Sequence, residues 1–124
     1  HVVVWPGPRA DWFTAEALTD LVSTTWAVGP ASNRVGVRLA GARLRRAVDD
    51  ELPSEGLVTG AVQVPADGQP VVMSRDHPTT GGYPVIAVVD PRHLDAFLQR
   101  PPGATARFRW TAGDRSAVPS ATPP

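Results

Sequence analysis

A segment with two arginines is the first place in this chain where side chains of the right type and spacing could do chemistry. It covers residues 32–39, SNRVGVRL. Side chains alternate in an extended strand, so Arg34, Gly36 and Arg38 would share one face. The glycine would leave a gap in which a carboxylate or phosphate is held between two guanidinium groups. The alternative interpretation is a solvated polar face with a glycine bulge.

A second candidate combines a hydroxyl, a carboxylate and an amide within residues 54–65. Ser54 follows a proline and is predicted to cap a short turn. Glu55 is a candidate acid, base or hydrogen-bond partner of an arginine. A buried Gln63 would be costly unless both ends of its amide were paired, so an inward Gln63 is predicted to orient a substrate. The alternative, a Gln63 that alternates outward into solvent, stays open.

The third candidate is the loop at residues 76–84, DHPTTGGYP. Its glycines would let backbone N–H groups approach an anion closely, although the spacing and the absence of lysine exclude a P-loop. The predicted substrate-binding residues of this loop are Asp76, Thr79, Thr80, Gly81, Gly82 and Tyr83. A tight turn before the next strand is the alternative. Asp76 and His77 suggest a base with its orienting group, but sequence neighbours rarely point together, which favours a surface histidine.

Short strands must position these side chains. Runs rich in β-branched residues are bounded by turn residues, and they cover residues 2–5, 35–39, 61–64, 71–74, 85–89 and 106–110. Two short helices interrupt them. One covers about residues 14–24 with Thr14 as N-cap, and the other begins at Asp90 and Pro91 and ends before Pro101. The pattern predicts a mainly β barrel or sandwich in residues 1–112, followed by a flexible Pro/Ser/Ala tail in residues 113–124.

Composition narrows the function classes. The 124 residues carry 12 basic and 12 acidic side chains, so charge gives no reason to expect nucleic acid or a membrane surface as partner. All the basic residues are arginine and there is no cysteine, which excludes lysine and thiolate nucleophiles and disulfides on this chain. Three scattered histidines predict no metal site. No apolar run approaches the roughly 20 residues of a membrane helix, and we expect a cytoplasmic protein.

Taken together and in this order, the motifs resemble one family, allophanate hydrolase subunit 2. This family is also called KipA-like, and it includes the C subunit of bacterial 5-oxoprolinase and part of the carboxyltransferase domain of urea carboxylase. The matching segments are GPRADWF at residues 7–13, SNRVGVRL at 32–39, SEG at 54–56, GAVQVPADGQP at 60–70 and DHPTTGGYP at 76–84. The resemblance implies a cyclophilin-like β-barrel with two short helices. Family members are roughly twice this long, so the chain would match their C-terminal half.

The resemblance implies a subunit, or a fragment of one, of an ATP-dependent hydrolase complex that acts on an amide or lactam. Arg34 and Arg38 would neutralise phosphate or a substrate carboxylate, Gln63 and Glu55 would orient the amide, and Ser54 with the 76–84 loop would bind substrate. ATP would act in the partner complex. A sister subunit resembling allophanate hydrolase subunit 1 (KipI-like) is the expected partner, without which the chain would be inactive.

Two alternatives follow from the same resemblance. In the first, the chain is a component of a biotin-dependent carboxyltransferase for urea-like or amide substrates, and the same arginines stabilise the enolate or carboxylate that is transferred. In the second, the chain is a non-catalytic interaction subunit that acts against a kinase inhibitor, as the name KipA implies.

Overall fold

A computed structural model describes residues 1–112 of the chain, and the predicted 113–124 tail lies outside the described residues. The strands are β1 (Val2–Pro6), β2 (Trp26–Val28), β3 (Gly36–Ala40), β4 (Glu55–Gly56), β5 (Ala61–Gln63), β6 (Val71–Met73), β7 (Thr80–Gly81), β8 (Val85–Val89), β9 (Thr105–Ala106) and β10 (Phe108–Trp110). The helices are α1 (Ala15–Ser23) and α2 (Pro91–Leu98), and a short 3₁₀ turn covers Ala10–Trp12.

Eight of these strands form one sheet that nearly closes into a barrel. Their order is β10-β1-β8-β5-β6-β3-β2-β9, and the two end strands are neighbours in the chain, separated by Arg107 alone. β10 pairs in parallel with β1, and β9 pairs antiparallel with β2. At the junction, the Val2 N–H donates to the Arg107 carbonyl at 2.8 Å. The predicted mainly β barrel with two short helices is confirmed.

Both helices begin where the capping residues predict. The Thr14 side chain accepts a hydrogen bond from the Ala17 N–H at 3.1 Å, and the Asp90 carboxylate accepts one from the Arg92 N–H at 2.9 Å. Each cap satisfies a backbone donor that the first turn of a helix cannot pair internally. Pro91 fits the first helical position because it has no N–H to pair.

The sheet has an apolar cluster on each face. The inner cluster is the core, with Trp26, Phe97 and Phe108 among its fully buried side chains. The smaller outer cluster consists of Leu57, Ala61, Met73, Val85 and Val88. β4 and β7 pair with each other in a separate two-stranded ribbon, the β4–β7 ribbon, and Leu57 beside it belongs to the outer cluster. The ribbon therefore covers part of the outer face, which a barrel usually leaves to solvent.

Candidate functional site

A groove of about 440 Å³ lies on the outer face of the sheet, and we call it the Gln63 groove. Val71 of β6 is the register partner of both Arg38 on β3 and Gln63 on β5, so these three side chains share one face of adjacent strands. The lining residues are Asn33, Val35, Gly36, Arg38, Gln63, Pro65, Val71, Met73, Pro78 and Tyr83. Arg38, Gln63 and Tyr83, which come from three separate sequence motifs, therefore meet in one concave site.

Gln63 is the most unusual polar residue in this groove. Only 7% of its surface is exposed, and its Nε2 is buried with no hydrogen-bond partner among the described residues. A buried donor left unpaired costs about 1–3 kcal/mol. A Cβ built on Gly81 of the ribbon would clash with Gln63 Nε2, so the ribbon backbone lies directly against the amide. Of the two interpretations of Gln63, burial is correct, although it occurs on the outer face beneath the ribbon.

Glu55, at the start of the ribbon, is held by an arginine. Arg9 Nε donates to Glu55 Oε1 at 3.1 Å and Arg9 Nη2 donates to Glu55 Oε2 at 2.7 Å. Hydrogen bonding to this carboxylate raises the pKa of Arg9, whose guanidinium also lies 5.1 Å from the centre of the Trp12 ring. Of the three roles predicted for Glu55, the geometry supports the hydrogen-bond partner of an arginine.

The Arg9–Glu55 ion pair lies close to the groove. The Arg9 N–H donates to the Val85 carbonyl at 3.1 Å, and Val85 is the register partner of Gln63. On the other side, Glu55 is the register partner of Gly81, which packs on the Gln63 amide. The ion pair therefore fixes the ribbon over Gln63. Sequence reasoning missed Arg9 as a site residue, although it lies in the GPRADWF motif.

The predicted clamp between Arg34 and Arg38 is not formed. Arg34 Nε lies 3.0 Å from Asp76 Oδ2, its side chain is 87% exposed, and it is not among the lining residues of the groove. The gap expected at Gly36 is filled, because a Cβ built there would lie 2.8 Å from Val71 Cγ1. Arg38 therefore supplies the guanidinium of this groove without Arg34.

The 76–84 loop is built differently from the prediction. Thr80 and Gly81 form β7 and pair with β4, and the Leu57 N–H donates to the Thr79 carbonyl at 2.9 Å. The segment begins in a turn, in which the His77 N–H donates to the Ser74 carbonyl at 3.2 Å, and the paired backbone that follows leaves no open anion cradle at Thr80 and Gly81. Gly82 and Tyr83 line a shallower depression of about 620 Å³ beside the ribbon.

Two smaller predictions also need correction. Ser54 is exposed and directly precedes β4, so it caps no turn, because the chain is already extended there. Asp76 and His77 do not form a base and its orienting group. The Asp76 carboxylate is paired with Arg34, while His77 Nδ1 lies 2.6 Å from the Pro78 carbonyl. The sequence favoured a surface histidine, and the structure places His77 half-buried.

Comparison of the chain with known proteins identifies its family. A protein-family model described as "Carboxyltransferase domain, subdomain A and B" matches residues 1–110. The chain belongs to this family. It is 41% identical over 103 residues to the C subunit of the 5-oxoprolinase of Escherichia coli (strain K12), which covers 83% of this chain and 33% of that protein. The chain therefore spans a third of that relative's length, less than the half predicted from the resemblance.

Eukaryotic relatives extend the comparison. The urea amidolyase of Lachancea kluyveri is 32% identical over 116 residues, covering 86% of this chain and 6% of that protein. The crystal structure of the urea carboxylase of Kluyveromyces lactis matches with a TM-score of 0.80 and 30% identity, covering 86% of this chain and 10% of that one. The predicted family is confirmed. Within the described residues, neither helix is long and apolar enough to cross a membrane.

Proposed function

We propose that the chain is the substrate-amide-binding part of an ATP-dependent amide or lactam hydrolase complex of the 5-oxoprolinase type. The observation that carries this proposal is the buried, unpaired Gln63 Nε2 in a groove that also holds Arg38. A buried amide donor without a protein partner is suited to a ligand oxygen. The 41% identity to the C subunit of a 5-oxoprolinase supports the same substrate class.

The residues of the groove divide the work of binding such a substrate. Once the substrate displaces the ribbon from the amide, Gln63 Nε2 would donate to the carbonyl oxygen of the amide or lactam, where negative charge develops when the carbonyl is attacked. Arg38 would bind a substrate carboxylate through its planar guanidinium. Val71 and Met73 would pack against the carbon skeleton of the substrate. The Arg9–Glu55 ion pair would hold the ribbon over Gln63 and keep water from it until substrate binds.

In this proposal the remaining machinery comes from outside these 124 residues. ATP bound to the complex would supply phosphoryl activation of the carbonyl. The Escherichia coli relative is one subunit of its enzyme, and we propose a sister subunit resembling allophanate hydrolase subunit 1 as the partner here. The chain alone would bind substrate weakly and would not turn it over.

Carboxyl transfer is the second candidate, and the family description together with the urea amidolyase relatives favours it. Arg38 would then stabilise the carboxylate being transferred, and Gln63 would donate to the carbonyl oxygen of the acceptor amide. Biotin would carry the carboxyl group in this alternative. These 124 residues contain no lysine for biotin to be attached to, so a carrier outside them would bring it.

The experiment uses the complex assembled from the full-length protein and its partner subunits, and it measures ATP-dependent cleavage of 5-oxoproline. Gln63→Met keeps the side-chain volume and removes the donor, so we expect kcat/KM to fall about 10- to 100-fold. Because the variant also removes a buried unpaired group, its unfolding free energy should stay the same or rise. Gln99→Met, at an exposed position after α2, is the matched control.

The outcomes test the role of Gln63 and distinguish hydrolysis from carboxyl transfer. A Gln63→Met complex that turns over normally would contradict the proposed role of Gln63. Turnover that avidin does not affect supports the hydrolase, whereas loss of turnover with avidin supports carboxyl transfer. No turnover of 5-oxoproline, with avidin-sensitive carboxylation of urea in its place, would overturn the hydrolase proposal in favour of the alternative.

A further inference from the structure

A second groove, of about 390 Å³, is rich in arginines that the proposed function does not use. It is lined by Thr14, Arg43, Leu44, Arg45, Arg46, Asp49, Pro65 and Ala66, and we call it the arginine groove. Its charged side chains are three guanidinium groups and one carboxylate, although the whole chain has a net charge of zero. This groove is therefore a local concentration of positive charge.

The backbone that carries these arginines is firmly anchored. Leu44 is fully buried in the core, and its N–H donates to the Gly68 carbonyl at 3.0 Å. On the other side, the Thr14 N–H donates to the Arg45 carbonyl at 3.1 Å, and the Ala47 N–H donates to the Trp12 carbonyl at 2.8 Å. These hydrogen bonds fix the backbone on both sides of the arginines. Less conformational entropy of the backbone is therefore lost when a ligand binds to the guanidinium groups.

Within residues 1–112, these three guanidinium groups have no ion-pair partner, in contrast to four other arginines. Four arginines of the described part form ion pairs with carboxylates: Arg9, Arg34, Arg75 and Arg92. Within residues 1–112, no carboxylate lies within ion-pair distance of Arg43, Arg45 or Arg46. Their hydrogen-bond donors therefore remain available to a bound anion.

We propose that the arginine groove binds a phosphate group. A carboxylate is satisfied by one guanidinium fork, whereas a phosphate has three outward oxygens and up to two charges, which matches three guanidinium groups partly offset by Asp49. Pro65 lines both this groove and the Gln63 groove, so a bound phosphate would lie beside the proposed substrate site. The proposal goes beyond the proposed function because it assigns different residues and needs no turnover.

The test is a calorimetric titration of the full chain at low ionic strength with inorganic phosphate, tripolyphosphate, ATP and, as a carboxylate probe, acetate. We expect saturable binding of the phosphate probes and binding of acetate at least about tenfold weaker. Arg43→Gln with Arg46→Gln should raise the Kd at least about tenfold, and added salt should weaken binding in the wild type. Arg107→Gln, an exposed position outside both grooves, removes one charge and is the control.

The outcomes separate the sources of the phosphate. Tighter binding of ATP than of tripolyphosphate identifies a nucleotide, and equal binding identifies the phosphate group alone. The proposal is overturned if none of the phosphate probes saturates below about 10 mM, which is weaker than a site of several guanidinium contacts should give. It is also overturned if Arg107→Gln weakens binding as much as the groove variants, or if acetate binds equally well. Circular dichroism of each variant confirms that its fold is retained.

Discussion

Asp90 connects β8, α2 and β1, and its replacement gives a sharp test of how the barrel is held together. The residue is 3% exposed. Its carboxylate accepts hydrogen bonds from Trp5 Nε1 at 2.9 Å, from the Arg92 N–H at 2.9 Å and from Arg92 Nε at 3.0 Å. Asp90→Ala removes all of these, whereas Asp90→Asn keeps an oxygen for the helix cap and removes the charge.

The size of the effect follows from these contacts. Loss of the N-cap costs about 1 kcal/mol, and loss of the Trp5 hydrogen bond to a charged acceptor costs about 1–2 kcal/mol. The Arg92 side chain is 76% exposed, so its ion pair adds about 0.5 kcal/mol or less. We therefore expect Asp90→Ala to lower the free energy of unfolding by about 3 kcal/mol and Asp90→Asn by about half as much.

The same contacts predict how this contribution depends on pH. Hydrogen bonds from Arg92, and then from Trp5, hold the pKa of Asp90 well below its usual range, against the opposing effect of burial. A carboxylate whose pKa is lowered by folding stabilises the folded state above its unfolded pKa of about 4, and this contribution is lost as the pH falls through the folded-state pKa. The stability gap between wild type and Asp90→Asn should therefore shrink as the pH falls below about 4.

Urea unfolding of the three proteins at neutral and acid pH measures both effects. Asp95→Ala, on the exposed side of the same helix, is the control and should change stability by less than about 0.5 kcal/mol. A loss of less than about 1 kcal/mol in Asp90→Ala would refute the capping and hydrogen-bond argument. A gap between wild type and Asp90→Asn that stays constant in acid would refute the pH argument.

Three further changes test other contacts. Replacing Arg9 and Glu55 singly and together should give a coupling energy of about 0.5–1.5 kcal/mol in a double-mutant cycle. The ion pair is bidentate, which strengthens it, but both side chains are about a third exposed, which weakens it. A coupling energy of zero would contradict the anchoring of the ribbon. His93→Ala removes the acceptor of the Val3 N–H in β1, so the free energy of unfolding in urea should fall by about 1–2 kcal/mol. An unchanged urea midpoint would count against this contact. Gly81→Ala should cost about 1–3 kcal/mol because its Cβ would clash with the Gln63 amide. Gly82→Ala should cost little, because its Cβ would meet only the Leu52 carbonyl oxygen, at 3.9 Å. Equal effects of the two substitutions in thermal melts would refute the packing.

The elements that could be predicted from sequence are those whose causes are local. The caps at Thr14 and Asp90 are set by residues within the next three positions, and the longer β-branched runs become strands because their own pattern requires it. β2 and the β4–β7 ribbon were missed because their segments, WAV, EG and TG, hold at most one β-branched residue each and do not stand out as strand-forming runs. They exist only because distant strands present edges to them.

The site shows the same division more clearly. Alternation correctly placed Arg38 on the face opposite the buried Val37 and Leu39. The same alternation was extended to Arg34, which lies before the strand begins at Gly36 and pairs with Asp76. The burial of Gln63 depends on a ribbon paired across distant segments, which alternation within β5 cannot reveal. The Glu55 partner lies 46 positions away, beyond the reach of any spacing rule.

The junction at Arg107 has a consequence for biosynthesis. Residues 105–110 supply the second neighbours of both β1 and β2, whose other neighbours are β8 and β3. A ribosome must therefore deliver almost all of the described chain before either of these early strands is paired on both edges. Until then, a nascent chain has two unpaired edge strands, which can pair with another polypeptide. Residues 105–110 therefore close the barrel, and truncation just before them should give an aggregating product rather than a smaller folded one.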